Sequence, residues 1–277
     1  MSNYHNHQNR HIKFGNLDLR LDSEDPTVQV YSERFWHEEF QSYFFDDVRE
    51  NLNPDIILDI GANYGVTSVF MKNKIPKAEL ICFEPNPELI TYIHFNLKNN
   101  KIDNYKVNKS IVGATKLNKA SFHINPSGSQ DSRVIPIDIT WPVVFVNQTT
   151  ITEIMKNHLG KKVFMKIDCQ GYEKEILDGA YDFLLTNNDW LIKMEFDPSR
   201  LKSQSSDPSI FLSHLIKNFD IVEFPARYTF KTNYKNLFDG NVIEANSSDK
   251  FLNYIIKLDR NDKGWVDLLI RPRVTKI

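Results

Sequence analysis

A chain of 277 residues with 41% hydrophobic and 25% charged content is ordinary globular material, long enough for one large core and too apolar to be a disordered polymer. Its 34 lysines and arginines against 36 aspartates and glutamates leave a formal net charge of -2, without the positive excess that a nucleic-acid partner calls for. Two cysteines, Cys82 and Cys169, exclude a disulfide framework and a thiolate cluster. No apolar run reaches the ~18 residues of a membrane span and no secretory signal is visible, so a soluble, cytoplasmic protein is expected.

The polar start, with His5, His7 and His11, carries no nearby carboxylate or cysteine set for a metal and is expected to stay without regular structure. From 24 to 50, Phe35, Trp36, Phe40, Tyr43 and Phe44 recur at helical spacing among charges, which predicts an amphipathic helix ending before Asn53-Pro54. Residues 1–50 read as a tail and an aromatic helical lid, and 51–277 as the main domain.

An alternation then sets the fold class. The run "IILDI" leads through glycines to a helical stretch, and "ELICFE" leads to "PELITYIHFNLKNN", with Pro87 placed as a first helical residue. Strand, helix, strand, helix predicts an α/β protein with a mostly parallel sheet and helices on both faces. A third strand, "YKVNKSIVG", follows. The rhythm lapses from 113 to 150, where "NPSGSQDS" separates alternating segments, and this stretch reads as an insertion beside the site. It resumes with a helix over 150–160, a strand "KVFMKID", a helix over 172–186 and a strand "DWLIKMEFD"; two further helical and two further strand segments close the chain.

Ligands of open α/β sheets sit at the carboxyl ends of the strands, where the first strand-to-helix turn offers backbone amides. Here that turn is Gly61-Ala62-Asn63-Tyr64-Gly65, and Asn63 stands where a dinucleotide fingerprint wants its second glycine. Asp59, two residues before Gly61, would repel a nearby phosphate and attract an ammonium group. Glu84 ends the second strand 19 residues beyond Gly65, where an acid typically accepts ribose hydroxyls. A nucleoside with a ribose, an ammonium group and a carboxylate for the helix N-terminus is S-adenosylmethionine.

The motifs "LDIGANYG" at 58–65, "FEPNPELI" at 83–90, "MKIDCQGYEKEILDGA" at 165–180 and "IKMEFD" at 192–197 resemble the FkbM-type class I methyltransferases over roughly half the chain. The resemblance implies a Rossmann-like sheet of seven strands, S-adenosylmethionine as methyl donor and transfer to an oxygen, commonly a hydroxyl of a sugar, glycan or other small metabolite. It places Asp59, Gly61, Asn63 and Gly65 at the methionine end, Glu84 and its neighbour Asn86 at the ribose, and Asn108 to Ser110 at the adenine edge. One departure is Gln170, where the family usually has glutamate; an amide cannot serve as a base.

A hydroxyl acceptor needs its proton removed. Asp168 at the end of the fourth strand is the first candidate for the acceptor-side group, with Lys166 beside it; His123 and His158 are weaker candidates. Asp168 and Glu195 end neighbouring strands and could meet a divalent metal, but two carboxylates without a third ligand do not predict one. Three rivals stay open: a nucleic-acid methyltransferase, a non-catalytic S-adenosylmethionine-binding module and an NAD-dependent oxidoreductase.

Overall fold

The computed structural model describes residues 9–14, 16–28 and 35–273. The polar start departs from expectation: β1 (Asn9–Phe14) and β2 (Leu17–Asp22) form an antiparallel hairpin. Alternation is the reason, since Leu17, Leu19 and Leu21 all turn inward. His5 and His7 lie outside the described residues, and His11 pairs with Asp18 at 3.4 Å.

Helix α1 (Phe35–Asn51) follows. Its Phe44 is fully buried and meets the rings of Phe164, Phe224 and Tyr228 at 5.8, 5.0 and 5.2 Å, edge-on. The side chains of Phe35, Trp36 and Phe40 lie outside the described residues.

The main body then alternates as β3 (Ile56–Ile60), α2 (Val66–Lys74), β4 (Glu79–Phe83), α3 (Pro87–Asn99) and β5 (Tyr105–Asn108). Next come three strands that form a small sheet of their own, β6 (Ser110–Val112), β7 (Leu117–His123) and β8 (Val143–Thr149). The run expected as one third strand is therefore two, parted at Lys109, with β5 in the main sheet and β6 leaving it.

The rest is α4 (Ile151–Met155), β9 (Val163–Ile167), α5 (Glu173–Asp178), α6 (Tyr181–Thr186), β10 (Trp190–Phe196), α7 (Pro198–Ser203), α8 (Pro208–Asn218), β11 (Phe219–Glu223), α9 (Tyr234–Leu237), α10 (Ser248–Ile256) and β12 (Val266–Pro272). The helix expected over 172–186 is interrupted at Gly179-Ala180.

The main sheet has seven strands in the order β11-β12-β10-β9-β3-β4-β5. All pairings are parallel except those of β12, which runs antiparallel to both β10 and β11. The order reverses between β3 and β9, and that switch point opens a crevice at the strands' carboxyl ends. Strand β3 is buried along its whole length because both faces are covered: Ile57 enters one core with Phe44 and Phe164, and Leu58 enters the other with Met165 and Ile192. Among the described residues no helix is long and apolar enough to cross a membrane.

Candidate active site

The crevice at the switch point is a cavity of about 450 Å³. One end is built by the glycine turn after β3. Gly61 has φ 82, and a β-carbon there would lie 2.1 Å from the Asp168 carbonyl oxygen, so only glycine lets the turn press against the end of β9. The amides of Gly61 and Ala62 both donate to the Phe83 carbonyl at 3.1 Å. Asn63 adopts a left-handed φ of 50, a conformation asparagine tolerates, and Gly65 closes the turn as the residue capping α2.

Glu84 ends β4 on the cavity wall, 5% exposed. One oxygen accepts the Asn63 amide and the other the Asn86 amide, each at 2.9 Å. A carboxylate has about four acceptor positions, so each oxygen keeps one for a further donor. Burial pushes its pKa up to about 7, against the lowering effect of the two amides.

Three of the residues expected at the cofactor do not reach the cavity wall. Asp59 is fully buried behind the turn, where it accepts from the Ser68 hydroxyl and lies 3.6 Å from the Lys166 ammonium. Asn86 is buried too, and its side chain caps α3 by accepting the Glu88 amide at 3.0 Å. Gly65 packs against α3, where a β-carbon would lie 3.3 Å from Ile93. Gly61, Asn63, Glu84, Ser110, Lys166 and Asp168 all line the cavity.

At the other end, β9 delivers Asp168 and β10 delivers Glu195. Asp168 keeps 42% of its side chain open to the cavity. Burial works against its charge, yet Lys166, Lys193 and Arg200 more than offset this and hold its carboxyl below the ordinary value. Glu195 is pushed well above its ordinary value by burial and then by the Asp168 charge. Lys166 lies 3.4 Å from Asp168 and donates to the Gly61 carbonyl at 3.1 Å, which ties the two ends of the site together. Neither His123 nor His158 lines the cavity, and no group of three metal-ligating side chains occurs among the described residues.

Sequence reasoning did not single out Gln130, Tyr172, Arg200 or Trp265, all on the cavity wall. Arg200 sits one turn after Asp197, which caps α7, and nothing local to that motif marks it. The small sheet and its loop supply Phe122, Ser129, Gln130, Ser132 and Val134. That loop is held from the N-terminal side, where Asp25 accepts the Tyr64 hydroxyl at 2.7 Å and the Ser129 amide at 3.2 Å.

A seven-stranded sheet in this order, with one reversed strand and a crevice between a glycine turn and an acid ending the next strand, is the fold of class I methyltransferases. The FkbM methyltransferase domain matches residues 59–222, and the chain belongs to that family. Over 69 residues it is 33% identical to methyltransferase sdnD of Sordaria araneosa; the match spans about a quarter of either chain (25% of this one, 26% of that one). Among solved structures it is similar to a putative O-methyltransferase from Klebsiella pneumoniae, with a TM-score of 0.45, 11% identity and coverage of 90% and 91% of the two chains. The O-methyltransferase from Bacillus cereus in complex with SAH gives 0.44, 9%, 90% and 92%.

S-adenosylmethionine is the cofactor of such a protein, and the residues present fit it. The cavity is of the size that holds a small ligand, the glycine turn leaves its backbone close to that space, and Glu84 has acceptor positions to spare at the end of β4.

Proposed function

We propose that this protein is an S-adenosylmethionine-dependent O-methyltransferase acting on a hydroxyl of a sugar, glycan or similarly polyhydroxylated small molecule. The observation that carries the reading is the composition of one continuous cavity: a glycine turn and Glu84 at one end, and Asp168, Gln170, Glu195 and Arg200 with Trp265 and Tyr172 at the other. Planar carboxylate, amide and guanidinium groups beside aromatic rings suit a ring with several hydroxyls, which offers donors, acceptors and an apolar face together. Trp265 is 46% exposed, available as such a face.

On this reading Glu84 holds the ribose hydroxyls, the amides at the start of α2 meet the carboxylate, and Ser110 lies at the adenine edge. The bound cofactor supplies an electrophilic methyl group. Asp168, kept ionised by Lys166, Lys193 and Arg200, accepts the proton of the acceptor hydroxyl, and Lys166 fixes one carboxylate oxygen. Much of the acceleration comes from holding the acceptor oxygen in line and close. Residues 113–150 form the acceptor-side wall, an assignment supported by Phe122, Gln130 and Val134 on the cavity surface. Both cysteines are free, in keeping with a reducing compartment such as the cytoplasm.

The test is transfer of labelled methyl from S-adenosylmethionine to a panel of sugars, glycosides and small alcohols, with Asp168→Asn alongside. Transfer to a hydroxyl compound that drops by about 10²–10⁴ in Asp168→Asn supports the reading. Transfer confined to nitrogen or carbon acceptors, or to nucleic acid, would overturn it.

A further inference from the structure

After β9 the chain turns through two residues in the left-handed region, Gln170 at φ 58 and Gly171 at φ 96. A β-carbon on Gly171 would lie 2.3 Å from the Arg200 carbonyl oxygen, so this turn is seated directly against the start of α7. Gln170 is polar, only 9% exposed and held in a conformation that glutamine seldom adopts. Such positions persist where the surroundings over-determine them, and they gather at functional sites.

The Gln170 amide has one partner on each side. Its nitrogen donates to an Asp168 oxygen at 3.2 Å, and its oxygen accepts from the Arg200 guanidinium. That direction is forced, because a guanidinium only donates and an ionised carboxylate only accepts. The second Asp168 oxygen lies 3.4 Å from the Lys166 ammonium, so both oxygens of the carboxylate are fixed. Arg200 is itself anchored by Glu195, Asp131 and Asp197 at 3.4, 3.4 and 3.3 Å. An amide receives from the one neighbour while giving to the other; an ionised glutamate would repel Asp168, and a leucine would serve neither.

We propose that Gln170 is the positioning residue of the acceptor end, its amide coupling Asp168 to Arg200 and fixing the direction in which the Asp168 carboxylate meets the acceptor. The inference rests on Asp168 being the acceptor-side group. Gln170 moves no proton and touches none of the reacting atoms; it acts through Asp168.

The test needs no acceptor. The Asp168 carboxyl of the full chain is titrated by carbon-detected NMR in the wild type, Gln170→Glu, Gln170→Leu and Arg200→Lys. The charged groups facing Asp168 are Lys166, Lys193, Arg200, Glu195 and Glu173, and all but Arg200 are unchanged throughout. Gln170→Glu, which puts a second carboxylate where the donor stood, is expected to raise the Asp168 midpoint by about one pH unit, tenfold in its dissociation constant. Gln170→Leu removes the donor alone and is expected to raise it less. Arg200→Lys frees the amide to turn round and shifts the midpoint the same way; it leaves the turn's own sequence intact and carries the test if the variants at 170 do not fold.

Titration with S-adenosylmethionine accompanies each variant. Retained cofactor affinity with a raised Asp168 midpoint supports the proposal, since a merely structural role would leave that midpoint alone. An unmoved midpoint in every folded variant overturns it. Failure of the wild type to bind S-adenosylmethionine would count against the proposed function instead, and the titration would still decide whether the amide holds Asp168.

Discussion

The carbonyl oxygen of Asp168 stands 2.1 Å from the place a β-carbon on Gly61 would take. The glycine turn and the end of β9 are therefore in close backbone contact, and Lys166 bonds across the same junction to the Gly61 carbonyl. Gly61→Ala must both adopt φ 82 and push β9 away, which is expected to cost about 2–4 kcal/mol of stability. Denaturant unfolding measures the loss. Calorimetric titration should show cofactor binding weakened together with it, and a variant as stable as the wild type would contradict the close approach.

Glu84 links the fold to pH. Burial pushes its carboxyl up to about 7, and the ribose hydroxyls that we propose it holds bond better to the ionised form. Binding of S-adenosylmethionine is thus expected to release a proton near neutrality and to weaken as pH falls below about 7, by up to tenfold per unit. Glu84→Ala is expected to lower affinity about 10–100-fold, the worth of hydrogen bonds to a charged group, and to abolish this pH dependence. Titrations in buffers of different ionisation enthalpy read the proton directly.

The same group bears on stability, together with Glu173. Burial raises both to about 7 from 4.5, and Glu173 has one oxygen without a hydrogen-bond partner. Each binds its proton more tightly in the folded chain than in the unfolded one. Folding is therefore favoured at low pH relative to high for these two groups, and stability falls as pH rises from about 4.5 to about 7, by on the order of 3 kcal/mol each. Unfolding measured across that window in Glu84→Gln and Glu173→Gln should show a shallower decline than the wild type.

What could be read from the sequence was what local chemistry forces. Asn63 and the glycines around it had to form a turn, Pro87 had to begin a helix, and an acid ending β4 had to face the switch point once strands and helices alternated. The parting of β5 from β6 at Lys109 was not legible, because an apolar run does not say which neighbour it will pair with. Arg200 and Trp265 reach the cavity only through tertiary packing, from a helix start and from the segment before β12. Asp59 shows the converse: its position in the motif was plain, but the side chain turns inward to Ser68 and Lys166.

The Asn96 side chain joins the N-terminal hairpin to the glycine turn. Asn96 of α3 is fully buried; its oxygen accepts the Arg20 amide at 2.6 Å, and its nitrogen donates to the carbonyls of Arg20 at 3.0 Å and Tyr64 at 2.8 Å. Asn100, one turn on, bonds the backbone of Asp18 twice but does not touch the glycine turn. Asn96→Asp sets an acceptor against two carbonyl oxygens and is expected to cost about 3 kcal/mol, with faster hydrogen exchange at Arg20 and weaker S-adenosylmethionine binding as the turn at Tyr64 loosens. Asn100→Asp should speed exchange at Asp18 and leave cofactor affinity nearly unchanged. Equal losses of affinity in the two variants would mean that the hairpin as a whole, and not the Asn96 link to Tyr64, supports the turn.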